Sequence, residues 1–330
     1  MAEKEKLTMK QAKEMALEIQ RKADERAVKS RRKEAKQNPT PWENIIDPKP
    51  CRVVAEACCN HMGVPEVAIN MIKSAKICGA DVIKFQKRNP EKAVPLHVQK
   101  KPHPCPMHSF GETYLDHRKC LEFNISQHRE FKKICEDIGI AYSCSVWDED
   151  SARDIISLEP VYIKVPSCMN LNFKLLDILY NEYNKDVHIS LGMSTKEERK
   201  EIWEYLWDKE DRTVVYWTTS GYPVKFNELY LLEIIELVQT YPKVGYSGHN
   251  LGIAADIAAY TLGVKWVERH FTLDRTMKGT DNAASLELPG LQKLCRDLKA
   301  VYNSLQYKLV EMTPDEKENR KKLRISSKSD

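Results

Sequence analysis

Two lysines, Lys84 and Lys164, sit inside short β-branched runs, "DVIKFQK" and "VYIKV". Serines recur at the ends of comparable runs: Ser145, Ser167, Ser190, Ser220 and Ser247. Ammonium groups and hydroxyls gathered at one place make a seat for a phosphate dianion. His249 and His270 follow two further runs, "VGYSGH" and "WVERH". Two imidazoles with a carboxylate nearby can hold one divalent metal with open positions. Two protein ligands alone bind weakly, so substrate oxygens and water are expected to complete the shell, which favours Mn²⁺ or Mg²⁺ over a structural zinc. Glu56, Glu268 and Asp281 add acidic groups suited to sugar hydroxyls. Together these parts suggest a phosphorylated enol attacking a carbonyl. A Schiff-base aldolase or lyase with Lys164 as nucleophile would use some of the same parts. A sugar sensor without turnover is a third reading.

The elements that must position these residues begin at residue 51. Runs at Arg52–Ala57, Asp81–Gln86, Ala141–Ser145, Tyr162–Val165, His188–Leu191, Thr213–Tyr216, Val244–Ser247 and Trp266–His270 read as strands. Helical patterns such as Glu66–Cys78, Gln127–Ile138, Lys196–Trp207, Glu228–Gln239 and Gly252–Leu262 lie between them. Strands spaced by helices imply right-handed βαβ units and a parallel sheet. Eight units over one domain's length match a closed (β/α)8 TIM barrel, an α/β fold whose reactive groups lie at the C-terminal ends of the strands. A doubly wound open sheet would want a glycine-rich turn after the first strand, and "AEACCNHMG" is not one. Asp148 and Thr195 are expected to cap helices, and Gly79 and Gly263 to close them. Asn60, His61, Ser143 and Thr219 are also expected at the mouth. Residues 87–125 show no clear periodicity and read as a long loop over it.

Composition narrows the classes. The 330 residues carry a net charge of +4, unevenly spread. Residues 1–37 hold 12 Lys/Arg and 7 Asp/Glu, a net +5, so the remainder sums to −1. A nearly neutral body gives no basic field for nucleic acid. The first 37 residues read as one charged helix that prolines then end. The division expected is a charged helical extension and linker over 1–48, a barrel over 49–307 and a charged tail over 308–330. No apolar run is long enough to span a membrane, and no signal peptide opens the chain. A cytoplasmic protein with reduced thiols is expected, because the ten cysteines show neither C-x-x-C pairs nor zinc spacing.

Residues 51–300 resemble the sialic acid synthase family, which includes N-acetylneuraminate synthase and its 9-phosphate-forming relative. The resemblance rests on "AEACCNHMG", "GADVIKFQK", "YIKVPSCMNLN", "SLGMS", "TTSGYP", "GYSGHNLGIA" and "ERHFTLDRTMKGTDNAASLE". It implies a homodimeric TIM-barrel enzyme that condenses phosphoenolpyruvate with an N-acetylmannosamine-type sugar or its 6-phosphate. The cation would be Mn²⁺, with Mg²⁺ or Co²⁺ as substitutes. Lys84, Ser145, Lys164, Ser167, Ser190, Ser220 and Ser247 then fall where the family holds phosphoenolpyruvate. His249 and His270 fall where it holds the metal. Glu56, Gln86, Tyr222, Glu268 and Asp281 fall where it contacts the sugar. Among these, Glu56, Lys84, Lys164 and Glu268 are the candidates for catalysis. A synthase using mannose 6-phosphate is a close variant. The family's C-terminal antifreeze-like domain, which supplies an arginine to the sugar, is expected to be lacking. Arg88, Arg275, Lys278 or the long loop with His108 and Tyr114 would then take that arginine's place. "FQKR" and "SGHN" lean toward the phosphate-handling branch.

Overall fold

Every strand of the barrel places its inward side chains two residues apart, and this period builds the site in layers. The computed structural model describes residues 50–308 and 310–325; the expected helix over 1–37 lies outside the described residues. Eight parallel strands close in sequence order: β1 (Arg52–Glu56), β2 (Val82–Lys87), β3 (Ala141–Val146), β4 (Tyr162–Val165), β5 (Asp186–Ser190), β6 (Thr213–Trp217), β7 (Val244–Gly248) and β8 (Trp266–His270). The last pairs back to the first with Val54 opposite Glu268 and Glu56 opposite His270. The helices after them are α1 (Pro65–Cys78), α2 (Ile125–Ile138), α3 (Glu149–Ile156), α4 (Phe173–Glu182), α5 (Lys196–Leu206), α6 (Glu233–Thr240), α7 (Ala254–Thr261) and α8 (Leu288–Ser304). The (β/α)8 expectation is met.

Outward strand residues such as Ile83, Phe85, Ile163, Val187, Val215 and Val267 are fully buried beneath the helices. Each contributes about 1.5–3 kcal/mol of apolar burial. Inward residues behave differently along the axis. Val54, Val82, Tyr162, Val214, Tyr216 and Trp266 pack into one apolar plug near the strand starts. His188 joins it, stacked 3.5 Å from the Tyr162 ring and 3.0 Å from the Tyr216 hydroxyl. Burial, and then the charge of Lys164, hold this imidazole well below its usual range, so it is neutral. Two residues beyond Val54, Val82, Tyr162 and Trp266 come Glu56, Lys84, Lys164 and Glu268. The plug therefore forms a dry floor under four charges.

The helix ends follow their local chemistry. Asp148 and Thr195 cap α3 and α5, and Gly79 closes α1 at φ 90°, a conformation costly for residues with a Cβ. Asn124 opens α2 with Gln127 in a capping box, so the helix begins at Ile125. The helix expected from Glu228 starts later, at Glu233. Trp217 and Thr219 donate to the carbonyls of Leu229 and Glu228, both at 2.9 Å, and tie that stretch to the end of β6. Residues 87–125 are not structureless: they hold short helices at Pro90–Ala93, Leu96–Gln99 and Tyr114–Leu121. Elements of one or two turns are too short to show a period. The described chain forms two units, the barrel up to Asn303 and the segment from Ser304. The latter contains a helix at Pro314–Leu323, opened by a Thr313–Glu316 capping box. Among the described residues, no helix is long and apolar enough to cross a membrane. All ten cysteines are free.

Between the inward-facing Glu268 and His270, β8 turns Arg269 outward, where it is 1% exposed. It pairs with the fully buried Asp256 of α7 at 2.5 Å and donates to the carbonyls of Gly252 and Asn250 at 2.6 and 2.5 Å. This fork holds the turn that follows His249. Replacing Arg269 with methionine strands Asp256 and two carbonyls. The expected loss is about 3–5 kcal/mol, read as a lower midpoint in urea denaturation; a change under about 0.5 kcal/mol would contradict this role.

Candidate active site

Where the strands end, a cavity of about 280 Å³ opens, and it is lined by all seven residues expected to hold phosphoenolpyruvate, by both histidines and by Glu56, Gln86, Tyr222, Glu268 and Asp281. Its floor is the charged layer. Lys164 Nζ donates to Glu268 Oε1 at 2.7 Å, and Lys84 Nζ lies 3.6 Å from the same oxygen. Lys84 also pairs with Glu56 and donates to Ser145 Oγ at 2.7 Å. Ser247 donates to Glu268 Oε1 at 3.2 Å. All four charged groups are at most 3% exposed. Burial would raise the Glu268 carboxyl, but Lys164 and Lys84 outweigh it and bring it to about 2. Burial lowers Lys164 to about 8, against the pull of Glu268. Lys84 goes the other way and is raised, because two carboxylates outweigh its burial. The two lysines therefore differ: Lys84 stays charged, whereas Lys164 loses its proton and its attraction for an anion as pH rises through about 8.

One wall is a hydroxyl cradle. Ser167 follows β4, Ser190 ends β5 and Ser220 follows β6, and all three line the cavity. Gly192 lies between them. A Cβ placed there would stand 2.6 Å from Ser220 Oγ and 2.7 Å from Ser167 Oγ. The Asn170 side chain donates to the carbonyls of Ser190 and Gly192 at 3.0 and 3.1 Å, fixing this turn. Sequence reasoning singled out neither Gly192 nor Asn170, although both lie in quoted segments. A glycine that keeps space between two hydroxyls is the signal that was available.

The opposite wall gathers metal-binding types. His249 Nδ1 lies 3.0 Å from the Thr219 carbonyl, a contact that requires a proton on Nδ1. Nε2 then carries the lone pair, the arrangement of a metal-ligating histidine with a backbone partner. Burial, then the neighbouring His270, bring this imidazole to about 3, so it is neutral. The two rings lie 5.2 Å apart, and Tyr222 covers both at 4.4 and 5.6 Å. His270 Nδ1 is buried without a hydrogen-bond partner. Cys58 Sγ donates to Asp281 Oδ2 at 2.6 Å, and Cys58, His270 and Asp281 offer donor atoms within 4.8 Å of one another. Burial would raise Asp281, but His270 and the Cys58 thiol hold it below its usual range. The neutral His249 imidazole, an ionised carboxylate and the orphaned ring nitrogen of His270 fit a divalent cation.

The rim is basic. Arg88 stacks 4.0 Å over Trp147, pairs with Glu122 at 2.7 Å and donates to Gln86, which donates to Glu56 at 2.8 Å. Arg118, from the helix Tyr114–Leu121, also faces the cavity. It donates to the Tyr114 hydroxyl at 2.8 Å, and no carboxylate among the described residues lies within 4.0 Å of it. Of the residues expected to supply a cation to the sugar, Arg88 lines the cavity. Arg275 does not; it is bound to the Ala283 carbonyl at 2.9 Å. Lys278 lies over the Phe110 ring at 4.7 Å, and His108 accepts from Gly279. Tyr114 acts by holding Arg118. Four further expectations change. Asn60 donates to Phe271 and Ser285, His61 packs on Phe123, Ser143 donates to the Tyr162 carbonyl and Thr219 to Glu228. None of the four lines the cavity.

Two buried lysines and a wall of hydroxyls beside a histidine pair, at the C-terminal mouth of a (β/α)8 barrel, mark the active site of an enzyme of this fold class. The chain belongs to the NeuB family, whose model matches residues 71–309. It is 35% identical to the N-acetylneuraminate-9-phosphate synthases of Homo sapiens and Mus musculus, covering 81% of this chain and 74% of each relative. The crystal structure of N-acetylneuraminic acid synthetase from Leptospira borgpetersenii superimposes with a TM-score of 0.70 at 26% identity, over 84% of this chain and 94% of that one.

The cradle generates a direct expectation. Gly192→Ala pushes a methyl against the Ser167 and Ser220 hydroxyls, so phosphoenolpyruvate should bind about 10- to 100-fold more weakly by calorimetry, the effect of roughly 1–3 kcal/mol of overpacking. Unchanged affinity would show that phosphate is held elsewhere.

Proposed function

We propose that this chain condenses phosphoenolpyruvate with the open-chain aldehyde of an N-acetylmannosamine-type sugar, releasing inorganic phosphate and forming a sialic-acid-type nonulosonate. The observation that carries this reading is the pairing of Lys84 and Lys164 beneath the cradle of Ser167, Ser190, Ser220 and Gly192. Phosphate oxygens replace the carboxylate oxygens that these lysines now hold, and Ser145 and Ser247 are freed to donate as well. C3 of the enol forms the new bond to the aldehyde carbon, and the aldehyde oxygen takes up a proton. Water adds at C2, and phosphate leaves with the electrons of the C–O bond. Glu268, ionised at the floor, orients that water, and Lys164 supplies a proton to the departing phosphate. Glu56, Gln86, Tyr222 and Asp281 contact the sugar.

A divalent cation held by His249 and His270, Mn²⁺ by the family resemblance, supplies Lewis-acid polarisation of the aldehyde oxygen. Arg118 argues for the class of acceptor. A half-buried guanidinium that faces the cavity with no carboxylate paired to it calls for an anion, and a sugar 6-phosphate brings one. Arg88 stands beside it. The product is then a 9-phosphate, the product that the names of the human and mouse relatives give for those enzymes. Mannose 6-phosphate would meet the same arginines. The homodimer rests on the family resemblance, and sedimentation at twice the chain mass would bear it out. Lys164 at about 8 also suits a Schiff-base nucleophile, but that chemistry leaves both histidines idle and predicts borohydride trapping without metal.

Phosphate release should require both phosphoenolpyruvate and a mannose-type sugar and should stop when a chelator is added. Release from phosphoenolpyruvate alone, or activity that survives chelation, would contradict the reading. Within a panel of sugars, the 6-phosphate should be preferred. Arg118→Met should lower kcat/KM for it by about 10- to 100-fold, the worth of a charged hydrogen bond of roughly 1.5–3 kcal/mol, and should leave the free sugar within a few-fold. Equal loss for both sugars would remove Arg118 from phosphate recognition.

A further inference from the structure

We infer that Cys58 is a protein ligand of the catalytic metal, joining His270 and Asp281 in a thiolate-bearing centre. This rests on reading the mouth as a metal-dependent synthase site; it adds a soft ligand to the histidine pair and assigns Asp281 to the metal in place of the sugar. Three observations lead to it. First, Cys58 Sγ, Asp281 and His270 bring their donor atoms within 4.8 Å of one another, a span that ligand bonds of about 2.0–2.3 Å can bridge with small side-chain movements. Second, the metal-free pair is held by a proton: the thiol donates to Asp281 Oδ2 at 2.6 Å, and a thiolate and a carboxylate at that distance would repel one another without a cation between them. Across the same group His270 Nδ1 is buried with no partner. Third, Cys58 takes a φ of 49°, in the left-handed region that favours glycine, so the backbone holds a side chain where none would be easier. That places the thiol 3.2 Å from the Gln86 amide and beside Asp281, at the end of β1.

Metal binding here is an exchange. Cys58 and Asp281 would both hold the cation, and the Cys58 proton would leave to solvent. A thiolate changes which ion is held. It discriminates against Mg²⁺ and favours Co²⁺, Fe²⁺ or Zn²⁺ over Mn²⁺.

Cobalt reports the ligand set directly. The full-length protein, freed of metal and titrated with Co²⁺, should show a near-ultraviolet sulfur-to-cobalt charge-transfer band. Cys58→Ser and Cys58→Gly should both lose it and bind Co²⁺ at least about tenfold more weakly, because removing a direct ligand costs more than the 10- to 100-fold typical of an outer-shell partner. The glycine variant suits the positive φ, so it separates loss of the ligand from loss of the fold. Cys59→Ser should keep the band. A spectrum and affinity unchanged in both Cys58 variants would overturn the thiolate ligand and leave a histidine-held metal standing. A band that follows Cys59 instead would also overturn it. If the unaltered protein binds no Co²⁺ at all, the metal-dependent reading fails with it.

Discussion

Two carboxylates and two ammonium groups must neutralise one another in a place water scarcely reaches. Glu56, Lys84, Lys164 and Glu268 sit on an aromatic floor, each at most 3% exposed. Taking an ion out of water costs several kcal/mol, and a pair 4 Å apart returns about 4 kcal/mol at an effective dielectric of 20. The quartet therefore does little to stabilise the fold. Its use lies in how readily it rearranges. In the proposed reaction an arriving phosphate would offer the lysines oxygens in place of the carboxylates they already hold, so the charges would need no new desolvation when substrate binds.

The other features serve that layer. The plug of Tyr162, Tyr216, Trp266 and neutral His188 excludes water from below. Hydroxyls and the bare Gly192 shape the wall above it. Outside the barrel, the Arg269–Asp256 pair holds the turn that follows His249, so one strand delivers Glu268 and His270 inward and braces the end of β7 outward. Removing any one of these supports leaves the floor charged but no longer correctly surrounded.

Much of this was legible in the sequence. Strand runs such as Tyr162–Val165 and Trp266–His270 announce themselves through β-branched and aromatic residues, and the period of two then puts Lys164 and Glu268 on one face. Residues read from strand ends fared less evenly. Asn60, His61, Ser143 and Thr219 stand beside residues that do line the cavity, but their side chains are spent on neighbours. Spacing alone does not tell a hydroxyl that faces substrate from one that satisfies a carbonyl. Arg118 escaped notice because its helix, Tyr114–Leu121, is too short to show periodicity inside a segment rich in proline and histidine. The arrangement of Cys58 with Asp281 was beyond sequence reasoning for another reason: the two are 223 residues apart, and only closure of the barrel between β8 and β1 brings them together.

The claim on which the account turns is that the buried lysines exchange carboxylate for phosphate. A crystal structure of the full chain soaked with phosphoenolpyruvate and Mn²⁺ tests it most directly. The account predicts the phosphoryl group on Lys84 and Lys164 beneath Ser167 and Ser220, with Glu268 released from at least one ammonium. A phosphoryl group seated on Arg88 and Arg118, with the quartet intact below, would contradict it.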